Sequence, residues 1–239
     1  MARAKIICTI GPASKDAEII RGLIDAGMNI ARLNFSHGEN EEKAEIVSTI
    51  RQVSGETGVP VGILGDLAGP KIRVGDIENG CVTLETGREL TITTHEIIGN
   101  SSLVSTTYPN LVSDVEKGAR ILLDDGNIEL LVTEVRSEEV KTTVIAGGFL
   151  KSHKGMNLPG VKVSAPAISA KDFTDIEFAV KNGLDYIGLS FVRCPEDVVK
   201  TKKIITNFGS DIPVIAKIEK EEAVNLFDSV LKEADGIMI

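Results

Sequence analysis

The spacing of apolar positions changes period twice along the chain. Near the start, KIICTIG is a short apolar run. SKDAEIIRGLIDAG after it places Ile19, Ile20, Leu23 and Ile24 on one helical face. Ser14 is expected to cap that helix at its start and Gly27 at its end. The strand-then-helix unit recurs in NIARLNF, followed by a helix through Ile46, Val47, Ile50 and Val53. PVGILGDL is then a nearly continuous apolar run, as in strands that a parallel sheet buries on both faces. Alternation of this kind implies a parallel sheet.

From about Lys71 to Val163 the period becomes two, in CVTLE, ELTIT, ARILLDDGNIELLVTEV and VKTTVIAGG, with Asp125-Gly126 as a hairpin signal. This stretch is expected to be a separate all-β module. After SAPAISAKD the βα rhythm returns: helix FTDIEFAVKNG, strand YIGLSF, a helix from Pro195 to about Phe208, strand PVIAKIE, one helix EEAVNLFDSVLKEA and a last strand GIMI. The module therefore reads as an insertion between the third and fourth parallel strands, with GPKIRVG and SAPAIS as hinges. The expected domains are residues 1–70 and 165–239, one barrel-type domain in two parts, around an insertion at 71–164. Six parallel strands with crossover helices suit either a barrel or an open doubly wound sheet, and periodicity does not choose. A complete eight-unit barrel takes roughly 250 residues. A chain of 239 residues that also carries a β module is expected to stop short of closing one. Its end in mid-strand at Ile239 suggests a truncated piece, since an open parallel edge invites aggregation.

Composition narrows the function. Hydrophobic residues make up 42%, enough for a core, and the 26% charged residues are mixed without long single-sign runs, which excludes a disordered polyelectrolyte. A net charge of -9 argues against a nucleic-acid groove, which needs a basic face. With 4% aromatic residues and no Trp there is no stacking platform for single strands either. Any anionic substrate must then be met by local cations. Cys8, Cys81 and Cys194 have neither disulfide nor zinc spacing, which suggests a reducing cytoplasm. The apolar run in MARAKIICTIG is too short for a signal sequence or a membrane span, and no membrane partner is expected.

Polar residues gather where the parallel strands end, the place at which barrels and open α/β sheets bind ligands. The second strand ends in Arg32, Asn34, Ser36 and His37, the third in Asp66, the fourth in Ser190 and Arg193, and the fifth in Lys217 and Glu219. Any one alone is more often a strand-end cap or a surface ion pair. Together on one rim they point to a ligand. Strand alternation in VIAKIEK sends Lys217 and Glu219 to the same side, where they can hold a divalent ion and an anionic group. The ammonium can stabilise charge developing on a transferring phosphoryl group or on an enolate. The plainer reading is a structural Lys-Glu pair.

CTIGPAS, MNIARLNFSHG, GDLAGPKIRVG, KGMNLPG and VIAKIE occur in that order across the whole chain, which in this respect resembles the pyruvate kinase family. The resemblance implies an α/β fold of (β/α)8 TIM-barrel type, incomplete at the C-terminus, with an inserted all-β barrel domain as a mobile lid. It implies a cytoplasmic glycolytic phosphotransferase that converts phosphoenolpyruvate and ADP to pyruvate and ATP with Mg²⁺ or Mn²⁺, a homotetramer at full length. Carried over by residue, Arg32 matches the arginine that binds the phosphoryl group, Lys217 the lysine that stabilises it in transit, and Ser190 a further substrate contact. Glu219 matches a Mg²⁺ carboxylate. Asn34, Ser36, Asp66 and the Leu67 carbonyl match monovalent-cation ligands, and Asn34, His37, Arg73 and Lys154 match nucleotide contacts. Leu67, Lys71 and Val74 together resemble the potassium-independent members, in which a tethered ammonium at Lys71 replaces the K⁺ that would otherwise repel it. K⁺ is therefore expected not to be required.

The family's Ala-Arg-Gly-Asp run after the sixth strand is missing, and with it a second Mg²⁺ carboxylate, so little turnover is expected of this chain alone. Two other readings compete. A Mg²⁺-dependent lyase that forms an enolate on a related barrel would use the same residue types but needs no nucleotide lid. A non-catalytic fragment would keep the fold without the chemistry.

Overall fold

The computed structural model describes residues 4–239. The chain forms two compact units, one running up to Pro70 and resuming at Ala167, the other Lys71–Pro166.

In the first unit the elements follow in the order β1 (Ile6–Ile10), α1 (Ala17–Asp25), β2 (Met28–Asn34), α2 (Asn40–Thr57) and β3 (Gly62–Asp66). Ile20 and Ile24 of α1 are buried, Leu23 packs partly against them, and Ile19 is exposed. Ser14 does not cap α1. Its hydroxyl accepts from the Gly11 N–H at 3.0 Å and its own N–H donates to the Gly11 carbonyl at 2.9 Å, closing a turn. The helix starts three residues later, at Ala17, after an extended Asp16. At the other end Ala26 is the cap and Gly27, with φ +103°, reverses the chain just beyond it.

The second unit holds β4 (Cys81–Leu84), β5 (Glu89–Thr93), β6 (Leu103–Ser105), α3 (Leu111–Asp114), β7 (Arg120–Leu123), β8 (Ile128–Val135), β9 (Glu139–Ala146), β10 (Gly148–Lys151) and β11 (Met156–Asn157). They form a six-stranded sheet in the order β11-β7-β8-β9-β5-β6 and a separate β10-β4 pair. The β7-β8 hairpin turns through Asp124, Asp125 and Gly126, all three at positive φ. Leu90, Ile92, Ile121, Leu123 and Leu130 are fully buried in a core that belongs to this unit alone. The helical turn α3 departs from the all-β expectation, and β6 pairs with β5 in parallel.

The chain resumes in the first unit with α4 (Ala170–Lys181), β12 (Tyr186–Leu189), α5 (Pro195–Asn207), β13 (Val214–Lys217), α6 (Glu221–Asn225), α7 (Phe227–Glu233) and β14 (Gly236–Met238). Helix α4 begins in a reciprocal capping box: Ser169 Oγ accepts from the Asp172 N–H, and the Asp172 carboxylate accepts from the Ser169 N–H. The expected single helix over 221–234 is two helices that break at Leu226 (φ -108°, ψ 19°), and no glycine or proline marks the break.

All neighbours in the six-stranded sheet β1-β2-β3-β12-β13-β14 are parallel. Once the second unit is set aside, spatial order equals chain order, as in a barrel wound one βα unit at a time. The helices cover it through Ile20, Ile50, Val53, Ile176 and Val198, each fully buried. Among the described residues no helix is long and apolar enough to cross a membrane.

Candidate active site

The carboxyl ends of β2, β3, β12 and β13 bring their polar side chains to one cluster. Asp66 ends β3 and is only 2% exposed. Its Oδ2 accepts from Arg32 Nε at 2.8 Å and Arg32 Nη2 at 2.5 Å, while Arg32 Nη1 donates to Thr9 Oγ1 at 2.8 Å on β1. A guanidinium held by three bonds is aimed, not merely present. Lys217 reaches the same carboxylate from the far side, with Nζ 3.2 Å from Oδ1.

Lys217 starts two strands away from Asp66, because β12 lies between β3 and β13. Gly188 on β12 is in register with Asp66 and makes the approach possible: a Cβ built there would sit 3.1 Å from Asp66 Oδ1. Lys217 Nζ also donates to Ser190 Oγ at 2.8 Å and lies 3.2 Å from Glu219 Oε1. Ser190 passes its own hydrogen to the Leu67 carbonyl at 2.6 Å. Glu219 Oε2 accepts from the Phe191 N–H at 3.0 Å, and Phe191 holds a left-handed φ of 55° that turns this N–H toward it. Two cations and two carboxylates thus share one rim. Asp66 Oδ1 is a buried oxygen without a hydrogen bond, since Lys217 meets it as a charge but outside hydrogen-bond geometry.

The other residues singled out in the sequence fall in different surroundings. Asn34 Oδ1 accepts from the Ser36 N–H at 2.9 Å, which orders the turn after β2 that carries Ser36 and His37. Phe35 in that turn donates its N–H to the Asp66 carbonyl, and the Leu67 N–H donates to the Gly188 carbonyl. Arg193 lies 3.6 Å from Asp197, four residues on. Arg73 and Lys154 belong to the second unit and lie on adjoining backbone there: Val74 N–H donates to the Lys154 carbonyl, and Arg73 bridges to Gly155. Lys154 pairs with Asp124 at 2.6 Å, and that hydrogen bond raises the lysine's pKa. Lys71 lies at the start of the same unit.

Sequence reasoning passed over Thr9, Phe191 and Lys220. Thr9 lies in an apolar strand with no polar neighbour to draw notice. Lys220 Nζ sits 5.5 Å over the Phe191 ring; burial lowers its pKa, with the Arg193 charge pushing the same way. A cleft of about 310 Å³ lined by Arg51, Gly62, Asp185 and Tyr186 opens at the other, amino ends of β3 and β12. Arg51 and Asp185 form an ion pair there, and the cluster around Asp66 lies on the opposite rim.

A parallel sheet in barrel order, with two cations and two carboxylates converging at its carboxyl ends, defines an α/β protein of barrel type whose polar cluster lies on the rim where such folds carry their ligand sites. Residues 1–239 match the family model described as pyruvate kinase, barrel domain, and the chain belongs to that family. It is 46% identical over 240 residues to a pyruvate kinase of Geobacillus stearothermophilus, covering 99% of this chain and 41% of that protein. It is 44% identical to one of Bacillus licheniformis, covering 100% of this chain and again 41% of that protein. A crystal structure of a pyruvate kinase from Cryptosporidium parvum superposes with a TM-score of 0.91 at 41% identity, over 98% of this chain and 50% of that one. The chain thus spans about two fifths of the length of these curated relatives.

Proposed function

We propose that the whole protein transfers the phosphoryl group of phosphoenolpyruvate to ADP, and that this chain supplies the rim that holds that group. The observation that carries the reading is the convergence of Arg32 and Lys217 on Asp66, with Ser190 and Glu219 beside them. In the transfer, the bond from phosphorus to the enol oxygen breaks, a bond to the terminal phosphate oxygen of ADP forms, and the enolate takes a proton to become pyruvate. The protein's part in phosphoryl transfer is positioning and charge stabilisation. The Arg32 fork presents parallel donors to phosphoryl oxygens. The Lys217 ammonium, steadied by Ser190, balances the charge as the group moves. Asp66 holds both cations in place, since without it they would repel each other and swing outward.

The family implies a divalent ion. Among the described residues no group of three or more His, Cys, Asp or Glu gathers into a metal cage. A single half-exposed carboxylate, Glu219, still fits an ion such as Mg²⁺ or Mn²⁺ that keeps most of its shell in water and substrate phosphate. Glu219 would hold it, and the ion would supply neutralisation of phosphate charge when bound. Asn34, Ser36, Asp66 and the Leu67 carbonyl are the oxygens that would hold a monovalent cation, and Asp66 Oδ1, although without a hydrogen bond, already faces the Lys217 ammonium. In the reading proposed here Lys71 makes K⁺ unnecessary. Asn34 and His37 in the first unit, and Arg73 and Lys154 in the second, are the residues that would take nucleotide phosphates. A cytoplasmic location and a homotetramer of the whole protein belong to the same proposal.

Phosphorus NMR of phosphoenolpyruvate titrated with the purified protein tests it. The expected result is saturable broadening that requires Mg²⁺ and disappears in Lys217→Met. Equal broadening by wild type and variant, or none with wild type, would defeat the reading.

A further inference from the structure

We propose that Lys43 and Lys171 are positioning residues: their ammonium groups lock the backbone of the 35–39 turn and so fix how Ser36 and His37 are presented at the rim. What Ser36 and His37 contact rests on the proposed function; the lock itself does not.

The turn follows β2 and is neither helix nor strand. Phe35, the first residue of the turn, is fully buried and packs edge-on against Phe178, with ring centroids 5.7 Å apart. Two ammonium groups bracket that ring, Lys43 Nζ at 5.5 Å and Lys171 Nζ at 6.0 Å from its centroid. They come from α2 and α4, elements separated in the chain by the whole second unit.

Each lysine donates to carbonyls of the turn itself. Lys171 donates to the Phe35 carbonyl at 2.7 Å and to Asp175 Oδ2 at 2.7 Å. Lys43 donates to the Gly38 carbonyl and, at 3.4 Å, to the Glu39 carbonyl. Lys43 is 5% exposed and Asp175 1%. Burying an ammonium without acceptors is costly, so a movement of the turn would strand the Lys43 charge. Lys171, with its side chain 52% exposed, holds the turn through its bond to the Phe35 carbonyl while the buried Asp175 fixes its position. The burial is felt by both groups: it lowers the Lys43 pKa, with Lys171 repelling in the same direction, and it raises that of Asp175. Gly65 completes the lock from below, because a side chain there would run into the Phe35 ring. The Phe35 N–H in turn bonds the Asp66 carbonyl, which ties the locked turn to the charged rim.

A merely structural pair would affect stability everywhere at once, whereas a positioning pair has a local signature. The chain has three histidines, His37 in the turn and His95 and His153 in the second unit, so ring carbon-proton spectra report the turn against two internal controls. In Lys171→Met and Lys43→Met the His37 signals are expected to shift and broaden while those of His95 and His153 stay in place, and Lys171→Arg is expected to restore the wild-type position. Titration with MgADP, followed at His37, is expected to show affinity reduced about tenfold in Lys171→Met, the scale of one lost charge-assisted hydrogen bond. If His37 is unmoved in both Met variants, or if all three histidines move together with the melting temperature, the lock is refuted. If one Met variant does not fold, the other variant and Lys171→Gln decide by the same spectra. Absence of any MgADP effect on wild type would count against the nucleotide role of His37 and leave the ring spectra to decide on the lock.

Discussion

Lys217 and Asp66 meet at 3.2 Å although a whole strand separates theirs, and the glycine at position 188 is what leaves the space between them. Gly188→Ala would put a methyl against Asp66 Oδ1 in a packed, buried setting. Overpacking of this kind costs about 1–3 kcal/mol. The expected outcome is a modest fall in denaturant midpoint with a larger effect at the rim, a loss of phosphoenolpyruvate affinity of about tenfold or more, on the scale of one charge-assisted contact. Binding unchanged beside a lowered midpoint would separate Gly188 from the site.

Asp66→Ala removes the anion between two cations. Breaking a buried pair by deleting one partner costs about 3–5 kcal/mol. Arg32 at 27% and Lys217 at 13% side-chain exposure retain some access to water, so the lower end, about 3 kcal/mol, is expected from urea unfolding. A change below about 1 kcal/mol, the size of a surface pair, would mean that Asp66 does not organise the cluster.

The second unit has its own pH limits. Tyr108 is 5% exposed; its hydroxyl donates to Asp114 and accepts from the Ser164 N–H and the Ala165 N–H, each at 3.1 Å. Burial, the largest influence on Tyr108, raises its pKa, and the bond to Asp114 adds to that. For Asp114 burial is again the largest single influence and pushes upward, but the bonds from Ser164 and Tyr108 outweigh it and the net shift is downward. A lowered carboxyl contributes stability that is present above its ordinary value of about 3.9 and is lost as pH falls through the folded value. A raised phenol contributes stability that is present below about 10 and is lost as pH rises. Thermal unfolding is expected to show both limbs. Tyr108→Phe should flatten the alkaline limb and lower stability by about 1.5–3 kcal/mol, the scale for a bond to a charged partner. An alkaline limb identical in Tyr108→Phe would assign it elsewhere.

Lys154 is held by Asp124 before any nucleotide arrives. If Lys154 takes nucleotide phosphate, Asp124→Asn frees the ammonium from a competing anion, and MgADP is expected to bind several-fold more tightly. Weaker or equal binding would argue that Asp124 aims Lys154 or that Lys154 does not touch the nucleotide.

Parallel strands were legible in the sequence because their apolar runs are dense, as in PVGILGDL, and rim residues were legible because strand ends are where polar residues interrupt those runs. The alternation in VIAKIEK placed Lys217 and Glu219 on one side, and the two groups lie 3.2 Å apart. Partners set by tertiary contact were not legible. Nothing in the chain announces that Asp66 is shared by Arg32 and Lys217, or that Lys171 returns to the Phe35 carbonyl 136 residues earlier. Ser14 misled because a serine that closes a turn and one that caps a helix look alike until the backbone decides. The break at Leu226 has no glycine or proline to mark it, and the strand Leu103–Ser105 is too short to show a period.

The most direct measurement is a crystal structure of the protein with phosphoenolpyruvate and Mn²⁺, in which the ion's anomalous signal marks its place. The expected result is a manganese peak at about 2.1 Å from a Glu219 oxygen, the distance such hard octahedral ions favour, with the phosphoryl group against Arg32 and Lys217. Manganese and phosphate bound elsewhere, with Arg32 and Lys217 still closed on Asp66, would show that this rim is not where phosphoenolpyruvate reacts.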